Sequence, residues 1–354
     1  MIDLMKATTS MTALISKYNN FNVPSKKLYI DNKEIGSYDV GVENIQVALS
    51  MDSASSVSFS VYNVYDIKSR QFQEKAKSTF RLGAILKLEL GYGSKTTLVF
   101  QGFIGDITYE LNDYPCITVN AFDMRRLMME GKSRKINYKE NSYSGVFSQV
   151  MKRYNKICTS KSIDTTEELK DQLISQNTSD FDFVRENLCK NAGREFYVFA
   201  GKAYFKKIKE NQTPILTLEW GKDLLSFSRR AQYQYTKVKV VGYDDDKKIA
   251  VEAEATAKAT DSQKSLSEAQ RTEIQPDANN KNEAMKIANY LVEQEKTKAR
   301  NGSGSCIGLP EIVPGRYIKI SKCDNIINGI YYIKSVKHSF GNSGFTTDFE
   351  VGGW

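Results

Sequence analysis

The chain has 354 residues, enough for two or three separately packed cores, and no apolar run nears the ~20 residues of a membrane helix. Its net charge of +8 comes from 50 basic residues interspersed with 42 acidic ones, which favours a mixed solvated surface over a specific nucleic-acid patch, with a positive channel lining as the functional alternative. Five cysteines without a CxxC pair exclude the common zinc and thioredoxin patterns and point to free, buried thiols, and a single histidine leaves metal, triad and acid–base sites little to work with.

The first 25 residues read as a short helix or arm that enters the fold at Val23-Pro24-Ser25. They lack a basic segment ahead of a clean apolar block, so no secretory signal is read and a cytoplasm is the implied place of synthesis. From there to about residue 125 the period is two. Ile45, Val47 and Leu49 alternate with polar or small residues, as do Val57, Phe59 and Val61, Leu86, Leu88 and Leu90, and Ile117, Val119 and Ala121. Gly91-Tyr92-Gly93-Ser94 and Leu111-Asn112-Asp113-Tyr114-Pro115 read as turns between antiparallel strands, and the whole predicts a barrel or sandwich.

The period then changes to that of a helix over 141–154, with Val146, Phe147, Val150, Met151 and Tyr154 on one stripe and Ser142 as N-cap. A second helix is predicted over 180–191 with Phe181, Val184 and Leu188 inward, stopping at Gly193. Strands at 195–199 and 203–206 flank a hairpin turn at Ala200-Gly201-Lys202. Beyond this α/β insert, strands return at 215–218, at Val238 and Val240, and at 249–255 after the acidic turn Asp244-Asp245-Asp246. Residues 256–280 are poor in large apolars and read as a flexible excursion. A helix over 281–300 follows, ended by Asn301-Gly302-Ser303-Gly304-Ser305, and a β meander occupies 306–354. The two β regions are of comparable size, as an internal duplication would make them, yet no residue-level repeat connects them.

The meander runs Gly308-Leu309-Pro310-Glu311-Ile312-Val313-Pro314-Gly315-Arg316-Tyr317, then Asn328-Gly329-Ile330-Tyr331-Tyr332-Ile333, then Val336-Lys337-His338 and Gly344-Phe345-Thr346-Thr347-Asp348-Phe349. Upstream stand Ser179-Asp180-Phe181-Asp182-Phe183, Ala192-Gly193-Arg194 and Leu218-Glu219-Trp220-Gly221. In this order the motifs resemble the phage late control protein D family, the baseplate hubs of contractile tails. The same module forms the N-terminal part of valine–glycine repeat spike proteins in type VI secretion. The resemblance spans about residues 26–354. It implies two similar barrels per subunit and a homotrimer whose pseudo-sixfold ring adapts a hexameric tail tube to a trimeric spike. Its partners would be copies of itself, a tube or tube-initiator protein, a separate spike (the chain stops at Trp354, where fused spikes continue) and other baseplate proteins, with transient passage of DNA through the lumen and no membrane anchor. Its place would be the host bacterial cytoplasm during assembly, then the tail baseplate of the particle. The family-motif residues, read as structural, are Ser179, Asp180, Phe183, Gly193, Pro314, Gly315, Gly329, Tyr332, His338, Thr347 and Phe349.

Catalytic readings are weaker. His338 has no partner suggested by Lys337 or Ser339 and reads as a packed strand histidine. Asp244, Asp245 and Asp246 lack the spaced ligands of a calcium loop, and Gly91-Tyr92-Gly93-Ser94 lacks the lysine and helix of a phosphate loop. Neither Asp106 with Glu110 nor Glu293 with Glu295 is marked as a glycosidase pair. Small or polar strand faces, such as Ser56/Ser58/Ser60 and Thr346/Asp348/Glu350, would line a lumen or simply face solvent.

The expectation is therefore a mainly β (α+β) chain with an N-terminal arm (1–25), a first antiparallel barrel-like domain (26–136), an α/β insert (137–212) and a second barrel-like domain (213–354). No catalytic, cofactor or metal residue is assigned, and the expected function is that of a non-enzymatic baseplate hub. The alternatives are a carbohydrate-binding or adhesin-like tail protein, which calls for an exposed aromatic platform although neither Trp220 nor Trp354 lies in an obvious cluster, and a peptidoglycan hydrolase, which calls for a carboxylate pair or a zinc set that the single histidine argues against.

Overall fold

The structure, a computed structural model, describes residues 4–36, 41–169, 174–207, 211–231, 237–244, 247–257, 270–275, 278–298 and 300–353. The chain is mainly β, as its period-two runs require: 49% strand against 19% helix.

Helix Met11–Lys17, N-capped by Ser10, precedes the first strands: β1 (Pro24–Ile30), β2 (Lys33–Glu34), β3 (Gly41–Ser50), β4 (Ser56–Tyr62), β5 (Tyr65–Asp66), β6 (Gln71–Phe72), β7 (Ile85–Tyr92), β8 (Lys95–Glu110) and β9 (Cys116–Phe122). The insert contributes β10 (Ile136–Tyr138), β11 (Ser160–Ile163), β12 (Ile174–Gln176), β13 (Arg194–Phe199) and β14 (Lys202–Lys207). The remainder holds β15 (Pro214–Glu219), β16 (Leu224–Ala231), β17 (Lys237–Asp244), β18 (Ile249–Thr256), β19 (Gln270–Ile274), β20 (Arg300–Ile307), β21 (Tyr317–Ser321), β22 (Gly329–Gly341) and β23 (Gly344–Gly353).

Among the described residues thirteen strands share one sheet, and within it the same arrangement occurs twice. In the first half the neighbours run β1-β7-β8-β9-β4-β3; in the second they run β15-β21-β22-β23-β20-β16. Taken in chain order, each strand of one half occupies the position of its counterpart in the other. The bulges correspond as well. β3 slips register between Glu43 and Gln46 as β16 does between Leu224 and Ser226, and β8 slips between Ile104 and Asp106 as β22 does between Ile333 and Ser335. One strand breaks the repeat: β1 runs antiparallel to β7, whereas β15 runs parallel to β21. β3 and β22 pair antiparallel and join the halves. Alternate side chains from both halves, among them Val47, Phe59, Leu88, Val119, Ile318, Val336 and Phe349, fill one continuous core.

The N-terminal segment packs into this core through Leu4, Met5, Leu14 and Tyr18. The insert has its own core, in which helix Tyr143–Lys152 lays Val146, Phe147, Val150 and Met151 against Phe196 and Phe205. A third core lies between β16 and β20 in sequence, where β18-β17-β19 packs beneath helix Lys281–Lys298 through Val238, Val240, Ala253, Ile287 and Leu291.

Two expectations change. The Gly-Ser run at 301–305, read as the end of a helix, belongs to β20. It is a strand because its glycines lie beneath aromatic rings: a Cβ on Gly304 would come within 2.6 Å of Phe349 Cζ and 2.9 Å of Phe227 Cδ2. Low hydrophobicity there reflects lack of room, not solvent. Within 256–280, read as a flexible excursion, Gln270–Ile274 is strand β19, paired parallel with β17 and tied by ion pairs from Arg271 to Glu295 and from Glu273 to Lys190. The rest of that reading at 258–269 and 276–277 lies outside the described residues, as do Asp245, Asp246 and Trp354.

Candidate functional site

The motif residues gather in two places rather than one pocket. In the second half His338 stands on β22, wholly buried, with Nδ1 2.9 Å from Thr347 Oγ1 on β23. Thr347 Oγ1 also accepts the backbone N–H of Leu309 at 2.9 Å, so this pair stitches the 308–316 loop onto the meander. His338 Nε2 has no hydrogen-bond partner among the described residues. Burial holds the imidazole far below its ordinary value, at about 3, so it is neutral and uncharged near pH 7. Pro314 and Gly315 turn the chain back, Gly315 in the left-handed region at φ +82°. Tyr332 is buried against Tyr317, at 5.3 Å between ring centroids, and its hydroxyl reaches Glu195 of the insert at 3.3 Å. Gly329 opens β22, and Phe349 lies over Gly304 beside Phe227.

The second gathering is in the insert. Ser179 Oγ accepts the N–H of Asp182 and caps the helix that runs from Asp180 to Ala192, where Gly193 ends it with φ +61°. Asp180 is 2% exposed. Its carboxylate accepts from Arg153 at 2.7 Å, Tyr154 at 2.6 Å and Gln176 at 2.7 Å, with Arg134 at 3.3 Å. Burial alone raises its pKa, but the bonds from Gln176 and Tyr154 and the Arg153 charge outweigh that and hold it below the usual carboxylate range. Phe183 stacks on Tyr138 with ring centroids 5.6 Å apart, and Tyr138 in turn accepts from Arg153. This is a fully engaged structural network.

Other buried charges were not legible in sequence. Arg125, fully buried, pairs with Asp123 at 2.7 Å and donates to the Ser50 and Met51 carbonyls. Arg316, also buried, donates to the Leu4 carbonyl, and Glu311 accepts from Lys17 and Tyr18 at 2.7 Å each. These contacts pin the N-terminal segment to the meander. Only the general rule that a buried charge is paired or bonded could have flagged them, and it needs burial as input.

A groove of about 590 Å³ lies between the N-terminal segment, β8 and β14, but its charged rim is internally engaged, Lys17 with Glu311 and Glu89 with Thr96. Among the described residues no group of three or more His, Cys, Asp or Glu is placed to hold a metal. Asp106 instead accepts from Asn120, and Glu110 from Thr118.

The remaining surface signal is at strand edges. Among the described residues β16 ends the large sheet, and β8 beyond Ile104 pairs with β9 alone. Exposed apolar residues collect at both: Tyr109, Leu111 and Tyr114 at the β8–β9 tip, Trp220 and Leu225 around the start of β16.

Solved phage tail and secretion proteins share this fold. The 43 kDa tail protein of prophage MuSo2 from Shewanella oneidensis matches with a TM-score of 0.72 at 13% identity, covering 93% of this chain and 98% of that one. A tail protein from Neisseria meningitidis MC58 matches at 0.71 and 10%, covering 93% and 96%. The E. coli c3393 protein, a component of the type VI secretion system with structural similarity to T4 bacteriophage tail proteins gp27 and gp5, matches at 0.58 and 10%, covering 93% and 77%. At these identities the likeness is one of fold. The model of the family described as the Alg8 N-terminal domain matches residues 20–342, and the chain belongs to that family. A search of curated proteins finds no match.

Proposed function

We propose that the chain is a structural, non-enzymatic subunit of a baseplate hub, of the late control protein D type, in a contractile phage tail or phage-derived injection particle. The observation that carries this is the repetition of one six-strand arrangement within a single chain. Three such chains present six similar units, which is what joining a sixfold tube to a threefold spike requires. In this reading residues 26–136 and 213–354 are the two barrel-like domains and 137–212 the insert between them. The eleven motif residues act by holding the meander and the Asp180 network in place. The partners are copies of the chain, a tube protein, a separate spike and other baseplate proteins, and the particle tail is its site of residence. The shared fold with prophage tail and type VI secretion proteins supports the assignment.

Light scattering at tens of micromolar, followed by electron microscopy with the tube and spike proteins, is expected to give threefold rings that bind both. A chain that stays monomeric under all these conditions would sink the reading. The family's name points to a second reading, as part of a glycosyltransferase. Incubation with sugar nucleotides separates the two: release of free nucleotide dependent on this chain would overturn the non-enzymatic assignment.

A further inference from the structure

The internal repetition makes one contact inside the chain and leaves its counterpart open. Residues 335–340 of β22 lie antiparallel against residues 45–50 of β3, with Val47 opposite His338 and Ala48 opposite Lys337. In the repeat β3 corresponds to β16 and β22 to β8. The counterpart of this junction is therefore β16 against β8, and among the described residues neither strand has a partner on that edge. We propose that β8 of one copy pairs antiparallel with β16 of a second copy, continuing the sheet from chain to chain. This deepens the ring-subunit reading and rests on it for the identity of the occupant.

The corresponding bulges set the register. The shared pattern of one inward residue, two exposed and one inward aligns Val42-Glu43-Asn44-Ile45 with Leu224-Leu225-Ser226-Phe227. The slips at Ile104/Asp106 and Ile333/Ser335 align Tyr109 with His338. Transferring the pairs places Arg229 opposite Tyr109 and Arg230 opposite Thr108.

Two observations support a second copy there. Val336 and His338 are buried beneath the junction, whereas their counterparts Ile107 and Tyr109 are half-buried and 46% exposed, as expected of a surface awaiting the same cover. The charges also match. Asp106 and Glu110 share the face of Thr108, so Arg230 would sit diagonally between two carboxylates, within the reach of cross-strand neighbours. The edge supplied by β16 carries Arg229 and Arg230 and the edge supplied by β8 carries the two acids, so the pairing is head-to-tail. Each copy uses both edges, and a ring or an open chain follows from the rotation between copies.

Disulfide trapping tests the register. In a Cys323→Ser background, Thr108→Cys together with Arg230→Cys is expected to give a ladder of covalent oligomers on mild oxidation, and Thr108→Cys with Leu225→Cys none. Charge reversal provides the second arm. Arg230→Glu is expected to weaken self-association at least tenfold, and adding Asp106→Arg with Glu110→Arg to restore it, with circular dichroism unchanged throughout. An oligomer in light scattering that neither cross-links through this pair nor responds to Arg230→Glu would overturn the edge pairing while leaving the ring reading intact. A chain monomeric at every concentration would overturn both.

Discussion

The two halves of the molecule build the same six-strand arrangement from different side chains. At the centre of the first, Phe59 on β4 lies opposite Val119 on β9, with Ile45 on the neighbouring β3. At the corresponding place in the second, Gly304 lies opposite Phe349, with Phe227 on its other side. The large residue sits on the middle strand in one half and on the flanking strands in the other, and the volume filled is similar. Packing conserves the sum of volumes in a layer, not the residue at each point, so a duplicated sheet can persist without a repeated sequence. The halves differ in a second way. The tip of β22 is covered by β3, while the equivalent edge at the tip of β8 pairs with no strand among the described residues.

The largest effect is expected where the volume exchange is broken on one side. Gly304→Phe drives a ring into Phe349 and Phe227 and is expected to cost about 3 kcal/mol or more. Adding Phe227→Ile and Phe349→Val, the first half's own residues, should recover much of the loss. Urea midpoints of the single and triple variants measure it, and a triple variant no better than the single one would show that the halves are not interchangeable in this way.

Asp180→Ala, outside the repeat, is expected to cost about 3 kcal/mol, because Arg153 and Tyr154 lose a buried acceptor. The same denaturation series should place it close to Gly304→Phe and far above any change on the open edge.

His338 separates the halves by pH. Its pKa is near 6.5 in the unfolded chain and about 3 in the folded one, so on acidification the unfolded state takes up the proton first. Stability present above pH 6.5 is therefore lost at up to about 1.4 kcal/mol per pH unit as the pH falls toward 3. His338→Leu should flatten the curve between pH 6.5 and 4.5, above the range where carboxylates contribute. An unchanged slope would mean that the imidazole is protonated in place.

The smallest effect belongs to its counterpart. Tyr109→Ser is expected to change the stability of the isolated chain by only about 1 kcal/mol, since the ring is half in solvent and its contact within the chain is an edge-on one with Phe72 at 5.2 Å. Its larger consequence should appear in self-association, measured by sedimentation across concentrations. A large loss of monomer stability would show that the tip of β8 is already covered within the chain.

Much was determined by the sequence itself. Period-two runs such as Val57-Ser58-Phe59-Ser60-Val61 and the stripe at 146–154 specify strand, helix and inward face, because side-chain direction alternates locally with backbone geometry. Ser142, Ser179 and Gly193 mark helix ends for equally local reasons. The motif order of the meander was also legible, although not what its residues touch. Tertiary structure alone decided the rest. Gly302-Ser303-Gly304-Ser305 becomes a strand only because Phe227 and Phe349, far away in sequence, need the space that a missing Cβ leaves. The Arg125 and Arg316 anchors depend on burial that no local pattern encodes. The repeat itself, and with it the pair of open edges, exists in the order of strands within the sheet. Strand pairing is a long-range choice, and two halves that fill their layers differently reveal it only when folded.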